Sequence, residues 1–452
     1  MLNSIKRPLL FCLTAAFLSI GLSPMAFASL AKFPDATSGK LFQVSGSNTV
    51  GASLMKSLLV NYLEAKGASK VRVVPLSTEN EYRVEGLVKG LPVFVEVAAH
   101  GSSTGFKALL GSSTDIAMSS RPIKGKEVDG LAGFGNMRSF DAEHVIAIDG
   151  LAVVVHRNNP VQQLNLDQLA AIFSGQISNW REVGGDNRVI SLYARDDKSG
   201  TWDTFKSLVL RKKVKLSSDA RRFESNDELS DLVSGDVGGI GFVGLASVRS
   251  SRALLVSDVG TQALVPEKVS VATEDYPLSR RLFLYTPPQQ SMPFIREFIG
   301  FIQTDEGQQQ VQETGFVSQV LITTPVPEVR RGPREYLELT QGAQRLSVNF
   351  RFDQGSARLD NKAQQDIQRL VAYMSREENQ GKRLTLIGFG DAKQTQARAM
   401  VLSKLRAVAV KSALRKVGIS TAPVAGFGAY LPVAANSGSG KVKNRRVEVW
   451  VN

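Results

Sequence analysis

The chain has 452 residues, 43% of them hydrophobic and 21% charged. That is ordinary for a soluble globular protein but too long for one typical core, so two or three domains are expected. The net charge of +13 raises nucleic acid as a partner. However, from Arg345 onward there are 19 Lys and Arg against 7 acids, spread over an amphipathic region with few aromatics, which sets nucleic acid aside and favours an acidic envelope surface.

At the start of the chain, Lys6 and Arg7 precede an apolar run from Pro8 to Leu22, and Ala26-Phe27-Ala28 offers a small-x-small cleavage site. Residues 1–28 therefore read as a cleaved secretory signal. The single cysteine, Cys12, falls inside it. The mature protein would have no disulfide, no cysteine nucleophile and no thiolate metal site, as suits a bacterial envelope.

From 40 to 322, short apolar runs alternate with helical patterns: LFQVSG, SLMKSLLVNYLEAKG, VRVVPLS, FVEVAAHG. This rhythm predicts an α/β domain with a largely parallel sheet. A long apolar strand, VIAIDGLAVVVHR, opens a second α/β unit, and RRLFLYT returns to strand before a helical PFIREFIGFIQ. Two lobes with a ligand cleft between them are expected. The stretch 323–344 begins with three prolines, a glycine and charges up to Pro333, and reads as a semi-extended linker keeping two folded parts apart. From 345 to 452, LSVNFRF, a helix from Asn361, LTLIGFG, a long helix from about Gln394 to Val417 and VEVWV give a small β-α-β-α-β sandwich.

Three strand-to-helix turns carry hydroxyls and free amides: Ser45 to Val50, Gly101 to Gly105, and Arg195-Asp-Asp-Lys-Ser199-Gly200-Thr201. Ser and Thr commonly cap helices with no ligand present, so one such turn alone signifies little. Three in order, one with a matched arginine, point to a small tetrahedral oxyanion held at the carboxyl ends of strands. No nucleophile-base pair, metal cluster or cofactor motif accompanies them, and His100, His144 and His156 are widely separated.

The blocks GSNTVG, GSSTGFKALL, DIAMSSRPI, AIDGLAVVV, LDQLAAIFSGQISNW, ARDDKSGT and GGIGFVG resemble the periplasmic phosphate-binding proteins of the PstS type, from Leu41 to about Val320. The resemblance implies a two-lobed periplasmic-binding-protein fold (type II) that closes on inorganic phosphate. By position it makes Thr49 and Val50 the first contact, Ser102 the second and Arg195, Ser199, Gly200 and Thr201 the third. Asp197 is the acid that steadies the arginine. Where well-known members place an aspartate that accepts a hydrogen bond from protonated phosphate, this chain has Ser120, followed by Arg121. A hydroxyl can accept or donate, so selectivity against sulfate is what this departure puts in question.

In the last region, Asp391 after a strand and Arg406 on the next helix could hold a zwitterion, the acid taking an ammonium and the guanidinium a carboxylate. A merely structural ion pair is the alternative. GFGD, LSKLRAVAVKSALRKVGI, GFGAYLPVAAN and NRRVEVWV resemble the OmpA-like C-terminal domain, which implies binding of the diaminopimelate side chain of peptidoglycan through Asp391 and Arg406. Phe389-Gly390 stands in place of the usual His-Thr and Ala399 in place of an asparagine. Arg446 either lines this site or braces the sheet.

The expectation is an exported, non-enzymatic phosphate-binding protein of the periplasm, tethered to peptidoglycan, with an ABC permease or sensor as receiver of the loaded form. Its alternatives are an envelope structural or adhesion protein and a general oxyanion receptor.

Overall fold

A computed structural model describes residues 30–197, 199–211, 214–324, 332–352, 358–392, 395–436 and 441–452. The signal segment with Cys12, and 325–331 of the linker, lie outside the described residues. The first domain carries β1 (Gly39–Gly46), β2 (Ser69–Pro75), β3 (Glu81–Val88), β4 (Leu91–Ala98), β5 (Ile116–Ser119), β6 (Glu143–Val155) and β7 (Gln163–Asn165). It continues with β8 (Ser191–Arg195), β9 (Arg221–Phe223), β10 (Gly239–Gly244), β11 (Arg252–Ala253), β12 (Leu255–Ser257) and β13 (Ser279–Tyr285).

Eleven of these strands form one sheet in the order β2-β3-β4-β1-β5-β13-β6-β10-β8-β9, with β11 on β6. The expected largely parallel sheet is instead mixed. β1 runs parallel to β4 and β5, but β3 forms antiparallel hairpins with β2 and β4, and β13 is antiparallel to both β5 and β6. The β3 strand was not foreseen, because EYRVEGLV alternates half-buried and buried positions with charges that read as loop. β6 is buried along twelve of its thirteen residues, as its unbroken apolar run requires of a strand covered on both faces.

β6 and β13 run side by side through the middle of the sheet and link two cores. One gathers Phe42, Tyr62 and Phe298, with Tyr62 and Phe298 edge to face at 5.2 Å. The other gathers Phe173, Phe205 and Phe242, with the last two stacked at 3.9 Å. Turns are fixed by local chemistry. Asn165 caps the Leu166–Phe173 helix by accepting from the Gln168 amide, while the Gln168 side chain returns to the Asn165 amide.

The C-terminal sheet is β14-β15-β18-β16-β17, formed by β14 (Thr323–Thr324), β15 (Gln344–Arg351), β16 (Leu384–Gly388), β17 (Ala425–Gly426) and β18 (Arg446–Val451). The Asn361–Met374 and Gln396–Lys416 helices pack on it. The linker expectation needs correction at both ends. Thr323 and Thr324 pair with Leu346 and Arg345, and Arg334–Leu339 is a helix whose Tyr336 packs against Phe389, Phe427 and Trp450. Aromatic burial at Tyr336 pulls this segment into the second fold.

Nor are the two parts held apart. Asp275 of the first domain accepts from Asn349 at 2.8 Å and pairs with Arg351 at 2.9 Å, Arg345 at 3.5 Å and Arg446 at 3.7 Å. Burial opposes the charge on Asp275, but the three guanidiniums prevail and hold its carboxyl below the usual range. Lys443 donates to the carbonyls of Tyr276 and Pro277, and burial pulls its ammonium down to about 8. Among the described residues no helix is long and apolar enough to cross a membrane.

Candidate anion cleft and wall-binding site

A cavity of about 660 Å³ opens between the lobes, lined by Asn48, Thr49 and Ser53 from one side and Arg195, Ser199, Gly200 and Thr201 from the other. The sequence places these residues there by two means. β8 ends at Arg195, delivering its side chain at a strand terminus. Ser199 then caps the Gly200–Phe205 helix by accepting from the Trp202 amide. The lobes meet closely: a Cβ on Gly200 would lie 2.5 Å from Thr49 Oγ1 and 2.6 Å from its Cα. Only a residue without a side chain permits that approach.

Arg195 is 8% exposed. Its guanidinium donates to the carbonyls of Phe223 and Glu224 and reaches Thr201 Oγ1 at 3.4 Å. Burial lowers its proton affinity, while Asp196 and Glu224 raise it. Asp197 does not hold this arginine: its side chain is 83% exposed and accepts from Arg222 at 2.8 Å. The turn that brings Ser199 into its capping position carries Asp197 outward, and the backbone carbonyls of 223 and 224 hold Arg195 instead.

Three other expected contacts stand apart from the cavity lining. The side chain of Val50 is wholly buried in the first core, leaving only its backbone for a ligand. The Ser102 and Ser120 hydroxyls lie 3.4 Å apart, and the Ser120 amide donates to Ser102 Oγ at 3.1 Å. Both sit beside the β1 turn, where the Gly101 amide donates to the Gly46 carbonyl. Arg121 is neutralised by Glu127 at 2.6 and 2.8 Å and donates to Ser103.

Two residues beside the point where the lobes meet went unforeseen. Asp149 on β6 lines the cavity, and its partner across the strands is Arg280 on β13. Arg280 donates to Asp149 at 3.1 Å, to Thr49 Oγ1 at 3.0 Å and to the Gly200 carbonyl at 3.0 Å, so one guanidinium on β13 ties together β6 and the two turns that meet at Thr49 and Gly200. The signal was present as two consecutive arginines in the otherwise apolar SRRLFLY. Glu79, Asp149, Asp196, Asp197 and Glu224 all line the cavity, with Asp149 already accepting from Arg280 and Asp197 from Arg222.

In the C-terminal domain Asp391 and Arg406 are each 3% exposed. Arg406 feels the Asp391 charge, and its Nη1 points at the Phe389 carbonyl at 3.5 Å. Gly390 leaves room for it: a Cβ there would stand 3.1 Å from that nitrogen. The arginine bonded to Asp391 is Arg445, at 3.1 and 3.3 Å. Its neighbour Arg446 braces the sheet instead, bonded to Glu448 and lying over the Phe389 ring at 4.1 Å. Arg445 immediately precedes β18 and Arg446 opens it, and of the two only Arg445 is bonded to the acid.

A family model described as PBP superfamily domain matches residues 37–306, and one described as OmpA family matches residues 351–446. The chain is 32% identical over 265 residues to Protein SphX of Synechococcus elongatus, covering 56% of this chain and 76% of that protein. It is 28% identical over 225 residues to the phosphate-binding protein PstS of Borreliella burgdorferi, covering 48% of this chain and 77% of that one. Among solved structures, a possible phosphate binding protein from Planctomyces limnophilus aligns with a TM-score of 0.50 at 25% identity, covering 68% of this chain and 98% of the other. By these matches, and by a two-lobed fold that closes over an arginine, the chain belongs to the PBP superfamily over residues 37–306 and carries an OmpA-family domain over residues 351–446.

Proposed function

We propose that this protein is a non-enzymatic receptor for inorganic phosphate in the bacterial periplasm, attached to peptidoglycan through its C-terminal domain. The observation that carries the reading is the buried Arg195 guanidinium, set among the Thr49, Ser199 and Thr201 hydroxyls in a cavity made by both lobes. A dehydrated oxyanion there gains charge-assisted hydrogen bonds that water no longer screens. The carboxylates lining the cavity favour an anion with a proton to donate, which phosphate has at neutral pH and sulfate lacks. The relatives named for phosphate binding support this ligand. Loaded protein would pass phosphate to an ABC permease or report it to a sensor.

Asp391, flanked by Arg406 and Arg445, supports recognition of a zwitterion such as the diaminopimelate side chain, with a carboxylate oriented by one arginine and the other left to take the ligand carboxylate.

Calorimetry on mature protein stripped of carried-over anion by unfolding and refolding tests the first assignment. Phosphate should bind and sulfate should not, and Arg195→Ala should weaken phosphate binding about a hundredfold or more, because a desolvated anion would lose its charged partner. Unchanged affinity in that variant sinks the site. Equal binding of sulfate would make the protein a general oxyanion receptor.

A further inference from the structure

The Gln396–Lys416 helix is apolar on two faces. Ala407, Val410 and Leu414 are buried on one side, against the C-terminal sheet and the core around it. On the opposite side Val401, Leu405 and Val408 are 59%, 53% and 41% exposed. Their i, i+4, i+7 spacing aligns them in one stripe along the helix. A helix apolar on both sides is normally covered on both sides. Among the described residues nothing covers the second.

Charge identifies what does. The helix carries Arg398, Lys404, Arg406, Lys411, Arg415 and Lys416 and no acid at all. Apart from the buried Arg406, these cations flank the stripe. At 100° per residue, Lys404, Lys411 and Arg415 fall on one side of it and Arg398 and Lys416 on the other, all within about 90° of its centre. A second copy of the same face would set five cations against five cations with no acid to offset them, so self-association is disfavoured. A soluble polyanion would satisfy the cations and leave the aliphatic stripe in water. An anionic bilayer surface satisfies both, taking the aliphatics into the headgroup boundary and the flanking ammonium and guanidinium groups onto its phosphates.

We infer that the exposed face of the Gln396–Lys416 helix is a docking surface for anionic lipid, which would hold the C-terminal domain against a membrane. This surface lies on the opposite side of the helix from Arg406, so lipid and wall recognition need not compete for the same residues.

Co-sedimentation of the full mature chain with phosphatidylglycerol–phosphatidylcholine vesicles, against pure phosphatidylcholine, tests it. The wild type should bind the anionic vesicles and release them as salt is raised. The triple variant Lys404→Gln, Lys411→Gln, Arg415→Gln should lower the partition coefficient about a hundredfold. Leu405→Ser with Val408→Ser should lower it about tenfold, without lowering thermal stability, because both positions are exposed. Equal binding to neutral vesicles, or indifference to either set of changes, overturns the proposal. So does a concentration-dependent dimer that Leu405→Ser abolishes, since that would make a second copy the occupant.

Discussion

Arg280 and Arg281 are consecutive on β13 and face opposite sides of it. Arg280 turns to the point where the lobes meet, contacting Asp149, Thr49 and Gly200. Arg281 turns to the other domain, bonded to Glu274 at 2.9 Å and to Asp360 at 2.7 Å. Strand alternation alone produces this division, as successive side chains leave a strand on opposite faces. The strand that closes the anion cleft is therefore also the strand on which the C-terminal domain docks.

Removing Arg281 should loosen the docking and spare the cleft. Burial opposes its charge, but Asp360 and Glu274 more than compensate and raise its proton affinity further. Asp360 also caps the Asn361–Met374 helix by accepting from the Ala363 amide at 2.7 Å. Arg281→Ala leaves two carboxylates without their cation and should cost about 3 kcal/mol. Thermal unfolding and limited proteolysis of the full chain would register it, while phosphate affinity stays near wild type.

Gly200→Ala should act through lobe closure. The added Cβ would meet Thr49 at 2.5 Å, and the nearest Thr49 atoms include backbone, which cannot rotate away. Phosphate affinity should fall about tenfold or more, mainly as faster release, since closing strain of about 1.4 kcal/mol is a factor of ten. Because the Gly200–Thr49 approach is present in the structure described, the melting temperature should fall as well. Stopped-flow release kinetics beside a melting curve separate the two effects.

Stability should fall on acidification below pH 6.5. His144, buried at the junction of the domains and bonded to Thr286 at 3.1 Å, is pushed down to about 4 by burial, with Asp141 opposing. The unfolded histidine titrates near 6.5, so between these values the unfolded chain binds the extra proton. The contribution is complete above pH 6.5 and is lost as pH falls through 4. Its size is about 3 kcal/mol by the unit-per-1.36-kcal/mol conversion. Denaturant melts across this range should show the slope, and His144→Gln should flatten it.

Wall binding should depend on Asp391 more than on Arg446. Asp391→Ala leaves the buried Arg445 guanidinium unpaired and removes the acid that would take an ammonium. Peptidoglycan pull-down should fail for Asp391→Ala and for Arg406→Ala, whereas anion binding persists in both. Retention on peptidoglycan by Asp391→Ala would remove the acid from the site.

Local pattern made much of this legible. The strand-to-helix turns at Thr49 and Ser199, the arginine at the end of β8 and the βαβαβ order of the last region can all be read from apolar periodicity and capping residues, which act over a few positions. What pattern missed depends on partners distant in the chain. Asp197 follows Arg195 by two residues yet bonds Arg222, because the turn geometry and not the spacing sets its direction. Ser102 and Ser120 sit at matching turns yet bond each other.

By itself the sequence determined two α/β units, the hydroxyl-and-arginine chemistry of one and an acid-and-arginine pair in the other, since these follow from residue type and short-range periodicity. Only the tertiary structure decided that Arg280 joins the lobes, that Arg445 rather than Arg446 meets Asp391, and that the two domains are packed together around Asp275. Each of these depends on which face of a strand meets a segment far away in sequence, and burial of charge makes such pairings obligatory only once the chain has folded.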